Sequence, residues 1–142
     1  MKSERGFSIP EALIALAIAS VLLAAALPVW SSSQRSYRVA TAADQLAGEL
    51  QAARLLAISR NATFQVNLDS AAATYQVIDP ADAANPPRAI KTLPPGVTFQ
   101  QTPATPLKFF SRGDSQAGTI RIGAGSSSAT VTTRLSGRIQ VN

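Results

Sequence analysis

The feature that most constrains this chain is an apolar stretch from Phe7 to Leu27 that contains a single charged residue, Glu11. Most of its other residues are Ala, Leu, Ile and Val. An α-helix rises about 1.5 Å per residue, so some 20 residues of this kind cover the roughly 30 Å hydrocarbon core of a bilayer. A short polar leader with Lys2 and Arg5 precedes the stretch, and basic residues favour the cytoplasmic side. The pattern therefore predicts a single membrane-spanning helix.

Glu11 is out of place in an ordinary membrane anchor. A carboxylate at this depth costs several kcal/mol unless a partner neutralises it, so it indicates a function. A suitable partner is the α-amino group that cleavage after Gly6 would expose on Phe7. In a bundle of such helices, the amine of one subunit could neutralise Glu11 of its neighbour and set their axial stagger. These residues favour a helix that is stored in a membrane and later assembles with others.

At these spacings, Gly6, Phe7 and Glu11 resemble the processing motif of type IV pilins and type II secretion pseudopilins. The resemblance implies that prepilin peptidase cuts between Gly6 and Phe7 and that the new Phe7 amine is methylated. It also implies that Glu11 acts in assembly and methylation, and that Pro28 is the kinking proline of many pilin helices. Pro10 stands where many relatives have Leu or another apolar residue, but proline is tolerated in the first helical turn.

Two other interpretations of the N-terminus remain open. Residues 1–26 have the basic start, apolar centre and small-residue stretch of a Sec signal peptide that would be removed. Glu11 argues against this, because a charge in the apolar region serves no purpose in a discarded peptide. A plain single-span anchor would leave Gly6, Phe7 and Glu11 without a role.

The composition argues against catalysis. The chain has 142 residues, enough for one domain beside the apolar helix, and it contains neither Cys nor His. The commonest general base, the usual zinc ligands and the thiol nucleophile are therefore absent. We predict a protein that is not an enzyme and that has no cofactor, no metal site and no disulfide.

Beyond Trp30, a residue type that favours the membrane boundary, the helical pattern continues in amphipathic form. Pro28 should bend the helix without ending it. One face carries apolar residues spaced alternately four and three, which predicts a buried stripe. The stripe consists of Val39, Ala43, Leu46, Leu50, Ala53 and Ala57, and the opposite side carries Arg38, Gln45, Glu49 and Arg60. The pattern predicts one helix from about Ser8 to Arg60, with Asn61 as its C-cap.

From Ala62 onward the period changes to two, which indicates strands. Residues 63–68 and 74–78 predict a hairpin, and short strands are expected in the segments 88–93, 97–99, 107–110, 119–122, 129–133 and 137–141. The predicted organisation is a leader peptide over residues 1–6, a transmembrane and assembly helix over 7–30, an amphipathic helix over 31–61 and a β-rich head over 62–142. Periodicity alone supports an α+β fold with the helix packed on antiparallel strands.

This layout resembles the minor pilins and pseudopilins of the GspH/FimT type. Weaker matches in the head are Phe109 with Gly113, the strand start at Gly118, and the terminal Gly137-Arg138 pair. The resemblance implies two sheets, with the helix against one of them, and a position at or near the tip of a filament that the protein starts or primes. The implied partners are prepilin peptidase, other minor and major pilins or pseudopilins, and the bacterial inner membrane, with the head in the periplasm.

DNA uptake is the alternative function. From Ala83 onward the chain has seven basic residues and one acidic residue. This asymmetry indicates either an acidic or polyanionic partner or solvated surface charge, and contacts to neighbouring pilins are a further use of the arginines. Some FimT-like minor pilins are implicated in DNA binding through a C-terminal Gly-Arg-any-Arg motif; here Gly137 and Arg138 match but Gln140 replaces the second Arg. Such phosphate contacts would be strongly salt-dependent. The candidate DNA-binding residues are Arg138, Arg134, Arg121, Arg112 and Lys108.

Overall fold

The computed structural model describes residues 8–142, with the side chains of residues 25–29 excepted. The predicted cleavage and methylation site at Gly6 and Phe7 lies outside the described residues. The chain divides into two compact units, Met1–Gln34 and Arg35–Asn142. The described elements are one helix, α1, followed by eight strands.

Helix α1 runs from Ile9 to Ser59 and continues through Pro28, within one residue of the prediction at each end. It ends because Asn61 adopts a left-handed conformation with φ of 48°. The N–H of Ala62 then donates to the carbonyl of Ala57 at 3.1 Å, and the N–H of Asn61 donates to that of Ile58 at 3.3 Å. This pair of bonds is a Schellman motif, which satisfies carbonyls left free at the helix end. The predicted C-cap at Asn61 is confirmed.

In the first unit, the described side chains of residues 8–24 and 30–34 are exposed in the chain by itself. Among the described residues, no helix combines the length and the apolar content that crossing a bilayer requires. The membrane span expected over residues 7–30 stays a prediction.

In the second unit, the helix buries the stripe that its sequence predicts. All six stripe residues are at most 2% exposed, and Ala42 and Ala47 widen the buried face. Ala is the commonest residue on this face. The stripe belongs to one core cluster that also contains inward residues of both sheets.

The strands form two four-stranded antiparallel sheets. The first sheet has the order β3-β2-β1-β5, from the strands β1 (Phe64–Asp69), β2 (Thr74–Ile78), β3 (Lys91–Thr92) and β5 (Leu107–Phe109). The second sheet has the order β4-β6-β7-β8, from the strands β4 (Thr98–Gln101), β6 (Gly118–Ala124), β7 (Ser127–Thr133) and β8 (Ile139–Val141). The α+β fold with a long N-terminal helix and an antiparallel head is confirmed.

Alternation along the strands decides which side chains enter the core. In the β1–β2 hairpin, Phe64, Val66, Tyr75 and Val77 are buried, while the residues between them are partly exposed. The same alternation buries Ile120, Ile122 and Val131 in the second sheet. Because side chains of a strand point to opposite faces in turn, each sheet offers one apolar face to the core.

We expect the substitution Leu50→Ala to lower the free energy of unfolding by about 3 kcal/mol, because it leaves a cavity between the helix and the sheets. Leu50 is fully buried, whereas Leu55, one turn away on the same helix, is 65% exposed. Leu55→Ala is therefore the matched control, with an expected change within about 0.5 kcal/mol. Chemical unfolding of the full chain in detergent micelles, followed by circular dichroism, measures both. Equal losses in the two variants would contradict the assignment of the buried face.

Candidate functional site

Glu49 is a charged side chain of α1 that bonds to the head. The sequence predicted Glu49 on the solvent side of the helix; this was wrong, because the residue is only 5% exposed. Its carboxylate accepts two bonds from Arg88, Nε to Oε2 at 2.6 Å and Nη2 to Oε1 at 2.9 Å. The Lys91 ammonium lies 2.6 Å from Oε1. The double ion pair lets a charge occupy the edge of the buried face.

The spacing around Glu49 could have revealed this position. Glu49 lies three residues after Leu46 and four before Ala53, which is the spacing of the buried stripe itself. The two cations, in contrast, come from the segment before and within β3 and give no local signal. The strand expected over residues 88–93 is limited to Lys91–Thr92 in the structure.

Burial acts to raise the pKa of Glu49, but the hydrogen bonds and charges of Arg88 and Lys91 outweigh it and hold the pKa below its ordinary value. Burial, together with the negative charge of Glu49, raises the pKa of the neighbouring Tyr75 hydroxyl. Glu49 is buried and paired with both cations, whereas Arg88 and Lys91 keep 39% and 49% of their side chains exposed. The cluster fixes the segment before β3 on the helix.

The second charged side chain is Arg54, which sequence reasoning did not single out. Its Nε donates to the carbonyl of Gly113, 2.8 Å away, in the turn between β5 and β6. Gly137, in the turn between β7 and β8, packs on the same point. A Cβ added to Gly137 would overlap the Gly113 carbonyl oxygen and lie 2.7 Å from Arg54 Nε. Gly113 and Gly137 both have positive φ, 87° and 75°, which glycine adopts without strain.

The two turns are also joined to each other. The backbone N–H of Ser115 donates to the carbonyl of Leu135 at 3.0 Å, and its hydroxyl donates to that of Arg134 at 2.8 Å. Within the second turn, the Gly137 N–H donates to Arg134 at 2.8 Å. The last turns of α1, the β5–β6 turn and the β7–β8 turn therefore form one end of the head, which we call the joined-turn surface.

The five candidate DNA-binding residues are all exposed, as the alternation predicts for Arg138, but they do not form one patch. Arg112, Arg134 and Arg138 lie in the joined turns. Lys108 lies in β5 of the first sheet, opposite Gln65, and Arg121 lies in β6 of the second sheet, opposite Thr130. The structure thus brings three of the five together and adds Arg54 to them.

The remaining predicted site residues belong to the first unit. Glu11 lies in the first turn of α1 with an exposed side chain, and the helix backbone passes through Pro28. Among the described residues, no group of three or more acidic side chains could hold a metal ion.

We expect Glu49→Gln to lower the free energy of unfolding by about 2 kcal/mol at pH 7, because it removes a buried charge from two cations. A carboxyl group whose pKa is lowered by folding stabilises the protein at pH values above its ordinary pKa, and that stability is lost as the pH falls through the folded-state pKa. The difference in free energy of unfolding between the wild-type protein and Glu49→Gln should therefore become smaller below about pH 4.5. Denaturant unfolding at pH 7 and pH 3 measures this. Asp44→Asn, exposed on the same helix, is the control, and a pH-independent difference would contradict the pairing.

Comparison with known proteins agrees with this geometry. The family model for the type II transport protein GspH matches residues 42–137, and that for the prokaryotic N-terminal methylation motif matches residues 1–27. No curated protein matches the chain.

Two groups of solved structures share the fold. The minor pseudopilin EpsH from the type 2 secretion system of Vibrio cholerae is 18% identical, with a TM-score of 0.62 over 74% of this chain and 96% of EpsH. The type IV minor pilin FimU from Pseudomonas aeruginosa is 19% identical, with a TM-score of 0.62 over 73% of this chain and 87% of FimU. Pilins and pseudopilins are structural components and not enzymes. Because the GspH model covers more than half of its length, this chain belongs to the GspH family of type II secretion pseudopilins and type IV minor pilins.

Proposed function

We propose that this chain is a minor pilin or pseudopilin that is made as a prepilin and held in the inner membrane by residues 7–30, with its head in the periplasm. Prepilin peptidase cuts it after Gly6, the Phe7 amine is methylated, and the helix assembles at or near the tip of a type IV pilus or type II secretion pseudopilus. There it initiates or primes the filament. The observation that supports this most is the exposed apolar surface of the first part of α1.

That surface surrounds the helix. The exposed large apolar side chains between residues 9 and 23 are 56–80% exposed and are Ile9, Leu13, Ile14, Leu16, Ile18, Val21, Leu22 and Leu23. Consecutive helical residues are about 100° apart, so these positions cover every side of the helix. A helix that is apolar all round must be covered by lipid or by other apolar helices. Lipid covers the helix while the subunit is in the membrane, and the helices of other subunits cover it once it is in the filament core.

Glu11 gives this transfer a direction. Moving an apolar helix from lipid into a bundle exchanges one apolar environment for another and by itself yields little free energy. An unpaired carboxylate is costly in lipid, and a neighbouring Phe7 amine in the bundle removes that cost. Pairing of Glu11 with the amine therefore favours the assembled state and fixes the stagger of adjacent subunits.

In the native host, we expect the mature protein to begin at Phe7 with a methyl group on its nitrogen, as read by mass spectrometry of the N-terminal peptide. Glu11→Val should still be cut, but its recovery in sheared filament fractions should fall at least about tenfold, because the amine lacks its partner. Ser20→Ala is the control on the same helix, since the Ser20 hydroxyl donates to the Ala17 carbonyl of its own helix, and it should assemble normally. A mature start near Leu27 would instead establish a discarded signal peptide.

DNA uptake is the second candidate, and the gathering of Arg112, Arg134 and Arg138 in the joined turns favours it. The distribution of the remaining cations argues against it: Lys108 and Arg121 lie on different sheets, and Gln140 replaces the second arginine of the motif.

If DNA is bound, the affinity of the full chain in detergent micelles for a 30-base-pair duplex should fall steeply with salt, since each phosphate contact releases a counterion. Arg138→Ala should weaken binding about fivefold and reduce the salt slope by about one. Arg38→Ala, an exposed arginine at the other end of the helical stripe, should change neither. A gel-shift series between 50 and 300 mM salt measures the affinity, and an affinity that does not change with salt would exclude phosphate recognition.

A further inference from the structure

A recess of about 330 Å³ opens on the joined-turn surface, between α1 and the β7–β8 turn. Its lining includes Gln51, Arg54, Leu55, Ser136 and Arg138. Two guanidinium groups thus share one small recess with an amide, a hydroxyl and an apolar side chain. This is the donor set that binds a carboxylate or another planar anion.

The structure holds Arg54 ready for such a ligand. Its Nε is occupied by the Gly113 carbonyl, which fixes the plane of the guanidinium and leaves the terminal Nη atoms for other acceptors. Among the described residues, no carboxylate forms an ion pair with Arg54 or with Arg138. The ion pairs in this part of the chain are those of Glu49 with Arg88 and Lys91, and the 4.0 Å pair of Arg112 with Asp114. A half-buried guanidinium with a fixed orientation loses little conformational entropy when an anion binds.

The rim of the recess is apolar as well as basic. Leu55, which lines the recess, is 65% exposed, and Leu135, the residue before the lining residue Ser136, is 71% exposed. Ile58, which is 45% exposed, packs beside Gly113 in the joined turns and adds to the apolar area. Protein interfaces combine exposed apolar side chains with arginine in this way, whereas DNA interfaces are polar and strongly basic.

We infer that the recess binds an Asp or Glu side chain presented on the apolar surface of another pilin-family subunit. The inference rests on the proposed function and names the chemistry of the partner: a carboxylate that reaches Arg54 and Arg138, surrounded by apolar side chains that cover Leu55 and Leu135.

A second copy of this chain fits the recess less well. Its exposed aspartates in the first sheet already accept hydrogen bonds from their own turns. Asp69 accepts from the N–H groups of Ala71 and Ala72, both at 2.9 Å, and Asp79 accepts from that of Ala81 at 2.9 Å. Asp82 accepts from the side-chain amide of Asn85 at 3.2 Å.

Asp44 is exposed, but it lies beside Ser36, Ser127 and Ser128, whereas a carboxylate that covers Leu55 needs large apolar side chains around it. Among the described carboxylates none fits, and we assign the complementary one to a different subunit.

The test places the photo-crosslinking amino acid p-benzoylphenylalanine at position 135 of the full chain, expressed in the native host with its own pilins. After irradiation, mass spectrometry identifies the cross-linked peptide. We expect a peptide of a different pilin-family chain that carries an Asp or Glu within a few residues of the link. Arg54→Gln should lower the cross-link yield about tenfold, and Arg38→Gln, the same change at the other end of the head's helical stripe, should leave the yield within twofold.

A surface variant separates binding from folding, because Arg54→Gln also removes the bond to Gly113. Leu55→Asp leaves that bond intact and places a negative charge beside the recess, so it should lower the yield about tenfold without changing the thermal unfolding midpoint. A cross-link to this chain's own sequence, a cross-link to DNA, an absent cross-link, or a yield that neither variant changes would overturn the inference. A mature N-terminus at Phe7 and normal filament recovery in the same cells would show that the proposed function stands in that event.

Discussion

The head depends on one contact, the burial of a small-residue helical face against two sheets at once. Val39 to Ala57 contribute an almost fully buried stripe, and inward side chains from both sheets complete the same core. Alanine occupies five positions of the buried face, and these small side chains leave room for aromatic and branched side chains such as Phe64 and Ile120 from the strands. The sheets are held together largely through this shared core, and the joined turns lie at one end of it.

Glu49 and Arg54, two charged side chains of this helix, differ in whether their charge is neutralised within the chain. The carboxylate of Glu49 forms ion pairs with Arg88 and Lys91, so its charge is neutralised within the chain. Arg54 is fixed by a carbonyl instead of a carboxylate, so its positive charge is not neutralised among the described residues. The first arrangement stabilises the fold and the second prepares a surface for a partner. The same helix thus serves the interior of one molecule and its assembly with others.

Periodic features were predictable from the sequence, and pairings between distant residues were not. The 3–4 spacing and Asn61 gave the limits of the helix within a residue, and alternation gave the β1–β2 hairpin. Arg88 lies 39 residues from Glu49, and Gly113 lies 59 residues from Arg54, so neither contact leaves a local pattern. The grouping of Arg134 and Arg138 follows from the hairpin, but the approach of Arg112 required the second turn.

The contact between Gly113 and Gly137 has a consequence for how this family can change. The joined turns are located by backbone atoms, by glycine and by the side chains of Arg54 and Ser115. The neighbouring positions Arg112, Leu135, Ser136 and Arg138 are therefore free to vary without moving the platform that presents them. Substitutions at these four positions could therefore change which subunit is bound without altering the helix and the sheets.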